Sequence, residues 1–318
     1  PRLELPREPP YEVEVPEGDT LFRIARTLAP VLVPKPLVAL RSPLPGLVEA
    51  GLVGQRVEAV EARGKHLLIT FEDGRVLHTH LRMEGSWHLY RPGEPWRKSE
   101  RSLRVALAVE GAVAVCFSAP VVRLLARGSV PRDPMLSRLG PDVLRADFDA
   151  KDAIARLRAT GLPLGEALLH QGAIAGLGNV YKSEVLFLER LDPWCSVRAC
   201  DTATLEAMVA RARHLIAMNV EEGLPRVPFR SPAAPYRFVG RTTRVVTGRG
   251  ERRLWVYGRS GEPCFTCGAL VRMQRQGPLG RSTYYCPRCQ PKGPRAAGGD
   301  ASEPDAGSSS PPRSPSSP

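Results

Sequence analysis

The chain runs to 318 residues, and 45 Lys+Arg against 33 Asp+Glu leave a formal charge of +12. With 42% hydrophobic residues, Pro 32 and Gly 29, it has the makeup of a turn-rich globular protein of two or three domains, which excludes a fibre or a wholly disordered chain. No run of about 18 apolar residues marks a membrane span, and the acidic, proline-rich residues 1–15 lack the basic-then-apolar order of a secretory signal. A bacterial cytoplasmic, nucleoid-associated protein with no membrane partner is expected. The cationic surplus favours polyanions, nucleic acid first, although an arginine-rich proteome would produce the same excess.

A helix is predicted from Asp19 or Thr20, where Leu21, Ile24, Ala25 and Leu28 recur at helical spacing, and Pro30 is expected to end it. Residues 55–125 read as strands: 56–60, 66–71, 76–81 and two around Glu110-Gly111. Asp73-Gly74 and Glu110-Gly111 stand between apolar runs as tight hairpins. A β-sandwich is expected. After Pro141 helix formers dominate, with helices predicted over 152–157, 164–171, 180–188 and 203–217 and a break at 172–178. Residues 223–243 read as a surface loop, and from Pro291 the chain is too poor in apolar residues to offset ordering entropy, so disorder is expected there.

Seven cysteines argue against a disulfide framework, and four of them form a pattern: Cys264-x-x-Cys267, eighteen residues, Cys286-x-x-Cys289. Two such knuckles can bring four thiolates to one tetrahedral Zn²⁺, a structural site because no coordination position is left for water; redox-active pairs are the alternative. Cys116 sits in an apolar strand pattern as a small buried hydrophobe, and Cys195 and Cys200 have no matching second half. His78, His80 and His88 fit strand alternation more simply than a metal site.

Four separated motifs go further: Pro16-Glu17-Gly18-Asp19-Thr20, Arg63-Gly64-Lys65-His66-Leu67-Leu68, the run from Gln171 through Gly176-Leu177-Gly178-Asn179 to Tyr181, and Gly280-Arg281-Ser282-Thr283-Tyr284-Tyr285-Cys286-Pro287-Arg288-Cys289. In this order they resemble the formamidopyrimidine-DNA glycosylase and endonuclease VIII family of base-excision repair enzymes, over roughly residues 15–290. The resemblance implies an α+β multidomain fold. It would comprise a leader at 1–15 tied to the start-site question, a catalytic β-sandwich with a leading helix (16–140), a helix-two-turn-helix DNA-binding domain (141–243), a zinc-ribbon β-hairpin (244–290) and a tail (291–318). It further implies a monomer acting on damaged double-stranded DNA, with one structural Zn²⁺.

By the same resemblance Pro16 is the nucleophile, although a proline is also at home at the start of a helix. An α-amino group titrates near pH 8 where lysine titrates near 10.4, so more of it is free to attack a sugar carbon at neutral pH. Glu17 would serve as the acid/base, or simply as a first-turn carboxylate favoured by the helix dipole. Lys65 would bind phosphate and assist proton transfer, where a solvated strand-end lysine is the plainer account. Asn179 would contact a DNA phosphate together with free amides of the helix start, or serve only as a helix cap. Arg281 would grip a phosphate in bidentate fashion from the hairpin. Met83, with Arg82 beside it, would fill the hole left by a flipped base, the alternative being a strand-end hairpin with a buried Met. Arg138 matches a phosphate-contacting Arg of the endonuclease VIII branch, so oxidised pyrimidines are the expected substrates and 8-oxoguanine the runner-up.

One departure matters. Pro16 is internal in the sequence, and an amide nitrogen cannot attack. Val15 stands at the family's initiator position, and since GUG can start a bacterial message, translation is expected to begin there and methionine removal to expose Pro16. Pro1 is no substitute, because Arg2 follows it. If the leading segment stays, the expectation becomes a non-catalytic binder of damaged DNA; a zinc-ribbon nucleic-acid module of unrelated role is a third reading.

Overall fold

The computed structural model describes residues 16–221, 243 and 254–294. The expected leader at 1–15, the loop at 223–242 and the tail from 295 onward lie outside the described residues. Helix α1 (Gly18–Leu32) buries Leu21, Ala25, Leu28 and Val31 on one face and leaves Arg26 and Pro30 in solvent. Contrary to expectation, Pro30 does not end it. The ring sits within the last turn on the exposed side, where the carbonyl that loses its partner belongs to exposed Arg26, and Val33 N–H closes the helix onto Ala29 O at 2.9 Å.

Two antiparallel four-stranded sheets follow. The first has the order β2 (Val57–Arg63), β3 (His66–Phe71), β4 (Val76–His80) and β8 (Val121–Leu125). The second has the order β1 (Ala39–Arg41), β6 (Leu103–Val109), β7 (Ala112–Phe117) and β5 (Ser86–Tyr90). Leu67, Ile69 and Phe71 of β3 pack with Val105 and Leu107 of β6, Cys116 of β7 and the buried face of α1. Leu68 points the other way, into a smaller cluster with Val76, Leu125 and Leu136, as the two-residue strand period requires. Both expected hairpins are present, Phe71 N–H bonding Arg75 O at 2.9 Å and Val109 pairing with Ala112. Strands β1, β5 and β8 were not among the predicted ones. A short helix α2 (Pro45–Val48) lies between β1 and β2.

Beyond the sandwich, α3 (Ala150–Thr160) is capped by Asp149, whose carboxylate accepts from Lys151 and Asp152 N–H. It is followed by α4 (Leu164–Ala167), α5 (Asn179–Leu188) and α6 (Thr202–Glu221). Leu157, Leu164, Ile174, Tyr181, Val185, Met208 and Ile216 form their common core. The helix predicted over 164–171 is shorter, because Leu169 and His170 N–H turn back three residues to Glu166 O and Ala167 O, tightening the chain toward its glycine turn. A hairpin of β9 (Arg272–Gln276) and β10 (Arg281–Tyr285) completes the described fold, with Phe187 of α5 packed against Trp255, Val256, Val271 and Cys286.

Two details differ from the composition-based reading. Thr243, the last residue of the expected surface loop, is buried, and its hydroxyl donates to Glu184. Order also persists past Pro291, where Gly293 N–H donates to Asp192 at 2.9 Å, a contact composition cannot reveal. Glu184 is wholly buried in α5. Its carboxylate accepts from the amides of Trp255, Val256 and Tyr257 at 2.7, 2.9 and 2.9 Å, which opposes the upward push of burial on its pKa. Glu184→Ala would leave these donors unpaired, and we expect it to lower the unfolding free energy by about 3 kcal/mol or more, read from urea denaturation.

Candidate active site

The site is built around Glu17. This residue caps α1 with its backbone, its C=O accepting from Thr20 and Leu21 N–H, while its side chain makes no bond to its own helix. Instead the buried carboxylate crosses to the start of α5, where Oε2 accepts from Gly178 N–H at 2.8 Å and Oε1 from Val180 N–H at 2.9 Å. The positive end of α5 and two of its otherwise unpaired amides thus meet a negative charge from the other end of the chain. Gly18 N–H adds a bond to Gly176 O at 2.8 Å.

Such an approach leaves no room for side chains. A Cβ on Gly178 would lie 2.4 Å from Glu17 Cδ, and one on Gly18 would lie 2.9 Å from Gly176 Cα. The expectation that Asn179 caps α5 is therefore corrected. The cap position is Gly178, no side chain of the helix caps it, and Glu17 takes the Gly178 and Val180 amides. Asn179 is the first helical residue, half-buried, with Oδ1 turned to Lys182 Nζ at 3.4 Å.

Lys65 shares with Gly64 the two-residue turn between β2 and β3, where Arg63 pairs with His66. Gly64 N–H donates to Asp142 Oδ2 at 2.6 Å, and Asp142 Oδ1 accepts from Leu144 N–H at 3.0 Å. Burial pushes the Asp142 carboxyl up, and these two amide bonds work against that push. Around it, Ala175 N–H bonds Pro141 O at 2.9 Å and Val143 N–H bonds Ala175 O at 3.3 Å. Gln171 closes the same turn, accepting from Gly176 N–H and donating to Leu169 O and Leu177 O. Asp142 and Gln171 are positioning residues to which sequence reasoning assigned no role. Gln171 opens one of the quoted motifs, whereas Asp142 lies outside all four.

Pro16, Glu17, the Lys65 turn and Asn179 thus meet along one seam between sandwich and helices. Arg82 and Met83 lie in the exposed loop from β4 to β5, strands of different sheets, with Arg82 at φ 48 and its N–H on His80 Nδ1 at 3.1 Å. The loop is pinched shut by Gly85 N–H on Leu81 O at 2.9 Å, so tightly that a Cβ on Gly85 would meet that oxygen at 2.7 Å. Met83 is 48% exposed, which removes the buried-methionine alternative. His80 pairs with His66, so this loop leaves the sheet beside the Lys65 turn. Arg138 is exposed two residues before Gly140, whose N–H bonds Gln171 O at 2.9 Å. Arg281, also exposed, begins β10.

The histidines follow strand alternation. His78 and His80 share the outer face of their sheet with His66, whose Nδ1 lies 2.8 Å from His78 Nε2, while His88 belongs to the other sheet and bonds Ser86. Burial lowers His66 to about 3, helped by His80 and His78, and lowers His78 to about 4 against the pull of Asp133. Among the described residues, the group that could hold a metal is Cys264, Cys267, Cys286 and Cys289, with all four sulfurs within 4.8 Å of one another. The Cys264–Cys289 and Cys267–Cys286 sulfur pairs stand 3.8 and 3.4 Å apart. A tetrahedron with Zn–S bonds of about 2.3 Å has edges of about 3.8 Å, so the donor set fits zinc.

Three family models match the chain: the formamidopyrimidine-DNA glycosylase N-terminal domain at residues 15–120, the formamidopyrimidine-DNA glycosylase H2TH domain at 139–229, and the zinc finger found in FPG and IleRS at 261–292. The probable endonuclease 8 2 of Streptomyces coelicolor is 36% identical over 87% of this chain and 94% of its own length. The DNA-(apurinic or apyrimidinic site) lyase Nei2 of Mycolicibacterium smegmatis and the formamidopyrimidine-DNA glycosylase of Stutzerimonas stutzeri are each 34% identical over 87% of this chain and 99% of theirs. A solved structure of MutM in complex with carbocyclic 8-oxo-G containing DNA shares the fold, with a TM-score of 0.71 at 24% identity over 87% of this chain and all of that one.

Two measurements check the seam and the sheet face. Gly178→Ala is expected to expel the Glu17 carboxylate and lower the unfolding free energy by about 3 kcal/mol, two charge-assisted bonds being lost. Gly46→Ala, whose Cβ would meet nothing within 4 Å, should leave the stability almost unchanged. The buried histidines predict acid sensitivity. The unfolded chain binds their protons below about pH 6.5 while the folded chain refuses them until near 3 or 4, so stability is full above 6.5 and falls as pH drops. The slope reaches about 1.4 kcal/mol per pH unit for each histidine. Urea midpoints at pH 7.5 and 5 should differ accordingly, and His78→Gln should flatten the difference.

Proposed function

The chain belongs to the formamidopyrimidine-DNA glycosylase and endonuclease VIII family, and from that premise we propose how it works as a DNA glycosylase and abasic-site lyase of base-excision repair. The observation that carries the reading is the pair of bonds from Glu17 to the α5 amides, which fixes the neighbouring Pro16 against the glycine turn of the helical domain. In this reading the Pro16 nitrogen, freed by removal of the residues before it, attacks the sugar C1′ of a flipped nucleotide and the damaged base departs. The family-model match beginning at residue 15 supports that point of release.

The nitrogen gives up its proton as the base departs, and breaking of the C1′–O4′ bond, with a proton delivered to O4′, turns the adduct into a cationic iminium that draws electrons from the sugar. Loss of the C2′ proton then expels the 3′ phosphate and a second elimination expels the 5′ phosphate. Glu17, held in place by backbone amides, is the group that moves the proton at the sugar or departing base. Lys65, on its pinned turn, binds the adjoining phosphate and assists proton transfer.

The sandwich of residues 16–140 supplies this chemistry. The helical unit at 141–243 and the zinc unit at 244–290 hold the DNA through Asn179 and Arg281 on phosphates, while the sandwich adds Arg138 on a phosphate and Met83 and Arg82 in the vacated stack. One Zn²⁺ on Cys264, Cys267, Cys286 and Cys289 staples the hairpin that presents Arg281; it stays out of the reaction. The +12 charge supplies salt-sensitive attraction to duplex DNA, on which a monomer acts. Oxidised pyrimidines are the proposed lesions, in keeping with the endonuclease VIII relatives.

Borohydride trapping on an abasic duplex tests this reading. A chain beginning at Pro16 should form the covalent complex and nick the strand, acetylation of the Pro16 nitrogen should abolish trapping, and a chain keeping residues 1–15 should bind without cleaving. Trapping by that longer chain with Pro16 still in amide linkage would refute the proline mechanism. Excision from thymine glycol duplexes in preference to 8-oxoguanine duplexes is the expected lesion profile.

A further inference from the structure

Lys182 is wholly buried, one turn beyond Asn179 on α5. Its ammonium has three N–H donors and meets three acceptors: Ser282 O and Thr283 Oγ1, both at 2.8 Å, and Asn179 Oδ1 at 3.4 Å. Two of these acceptors are on β10, immediately after Arg281, and the third is the amide of Asn179. Thr283 Oγ1 passes its own proton to Gln276 Oε1 at 2.8 Å, and Gln276 Nε2 donates to Pro193 O at 2.8 Å. One cation therefore ties the helix start to the hairpin strand through a continuous buried network.

A buried ammonium is an expensive way to join two elements, since an apolar side chain of similar length would cost no desolvation. Two features of the arrangement offset that cost only if ligand binding is involved. An ammonium can only donate, so while protonated it fixes the amide of Asn179 with Oδ1 inward and the Nδ2 donors facing away from the core. The charged groups around it are also unbalanced. Burial draws Lys182 down to about 7 and Arg281 pushes the same way, while Glu17 and Glu166 oppose them. An anion brought to Asn179 and Arg281 would tip that balance toward the protonated form.

We propose that Lys182 is a positioning residue for DNA: its ammonium locks the Asn179 amide and the strand bearing Arg281 into one register, and it takes up a proton when a DNA phosphate settles against them. The proposal rests on the reading of Asn179 and Arg281 as phosphate ligands given above. A neutral amine would have two donors for three acceptors and would release one side of the link, so phosphate binding and protonation reinforce each other.

Calorimetry with a duplex carrying a tetrahydrofuran abasic analogue, in two buffers of different ionisation enthalpy at pH 7, is the test. The wild-type chain should take up about half a proton on binding. Lys182→Met, shown to be folded by its melting curve and zinc content, should lose that uptake and bind about tenfold more weakly or worse. Its effect should largely vanish in an Arg281→Ala background, because the two residues act on one phosphate. Wild-type binding without proton uptake overturns the proposal by itself and leaves the repair function standing, whereas failure of the wild-type chain to bind this duplex overturns the phosphate reading as well. Uptake unchanged in Lys182→Met, or simple additivity with Arg281→Ala, also overturns it. If Lys182→Met does not fold, Lys182→Gln, which keeps hydrogen-bond donors without a titrating group, is judged by the same loss of uptake.

Discussion

The constraint on which the rest depends is a carboxylate from the first helix serving as the missing cap of a helix more than 160 residues away in sequence. A helix N-terminus needs acceptors, and its own Gly178 can offer none. Glu17 fills that need and is thereby immobilised, along with the residue before it. The same two hydrogen bonds hold the helix start and fix the Glu17 side chain, so this seam cannot loosen without costing stability.

Comparable buried acids recur at the other junctions. Asp142 fastens the Lys65 turn to the chain entering the helical unit, and Glu184 fastens the segment at 255–257 to α5. Each accepts from backbone amides, which offer fixed geometry and no competing charge. Lys182 is the cationic member of this set. Such groups are of little use half satisfied, because a stray buried donor costs about as much as a good bond stabilises. The described units are joined at these seams as much by polar connections as by apolar packing.

The sequence made the local features legible. The spacing of Leu21, Ala25 and Leu28, the two hairpin dipeptides and the cysteine knuckles all depend on neighbours within a few residues, and the structure bears them out. Strand β1 is only three residues long, and in β5 and β8 the buried residues, Trp87 and Tyr90 and Val122 and Leu125, fall three apart, so no two-residue period marks them. Pro30 was misread because a proline in a last exposed turn is tolerated. Asn179 was given a capping role because local sequence shows a polar residue after glycine, whereas the actual cap comes from Glu17. The motifs placed Glu17, Gly64 and Gly178 in short runs, and long-range bonds such as Gly64 to Asp142 could not be read from either end alone.

The loop that carries Arg82 and Met83 has a property of its own. It begins and ends on strands of different sheets, and its base is closed by Leu81 and Gly85 through backbone atoms alone. The three residues at its tip therefore carry none of the sandwich's packing, and their exchange would leave the sheets undisturbed. Selection can rewrite this tip independently of the frame, so that a handful of codons changes what the loop presents while the sheets beneath it stay fixed.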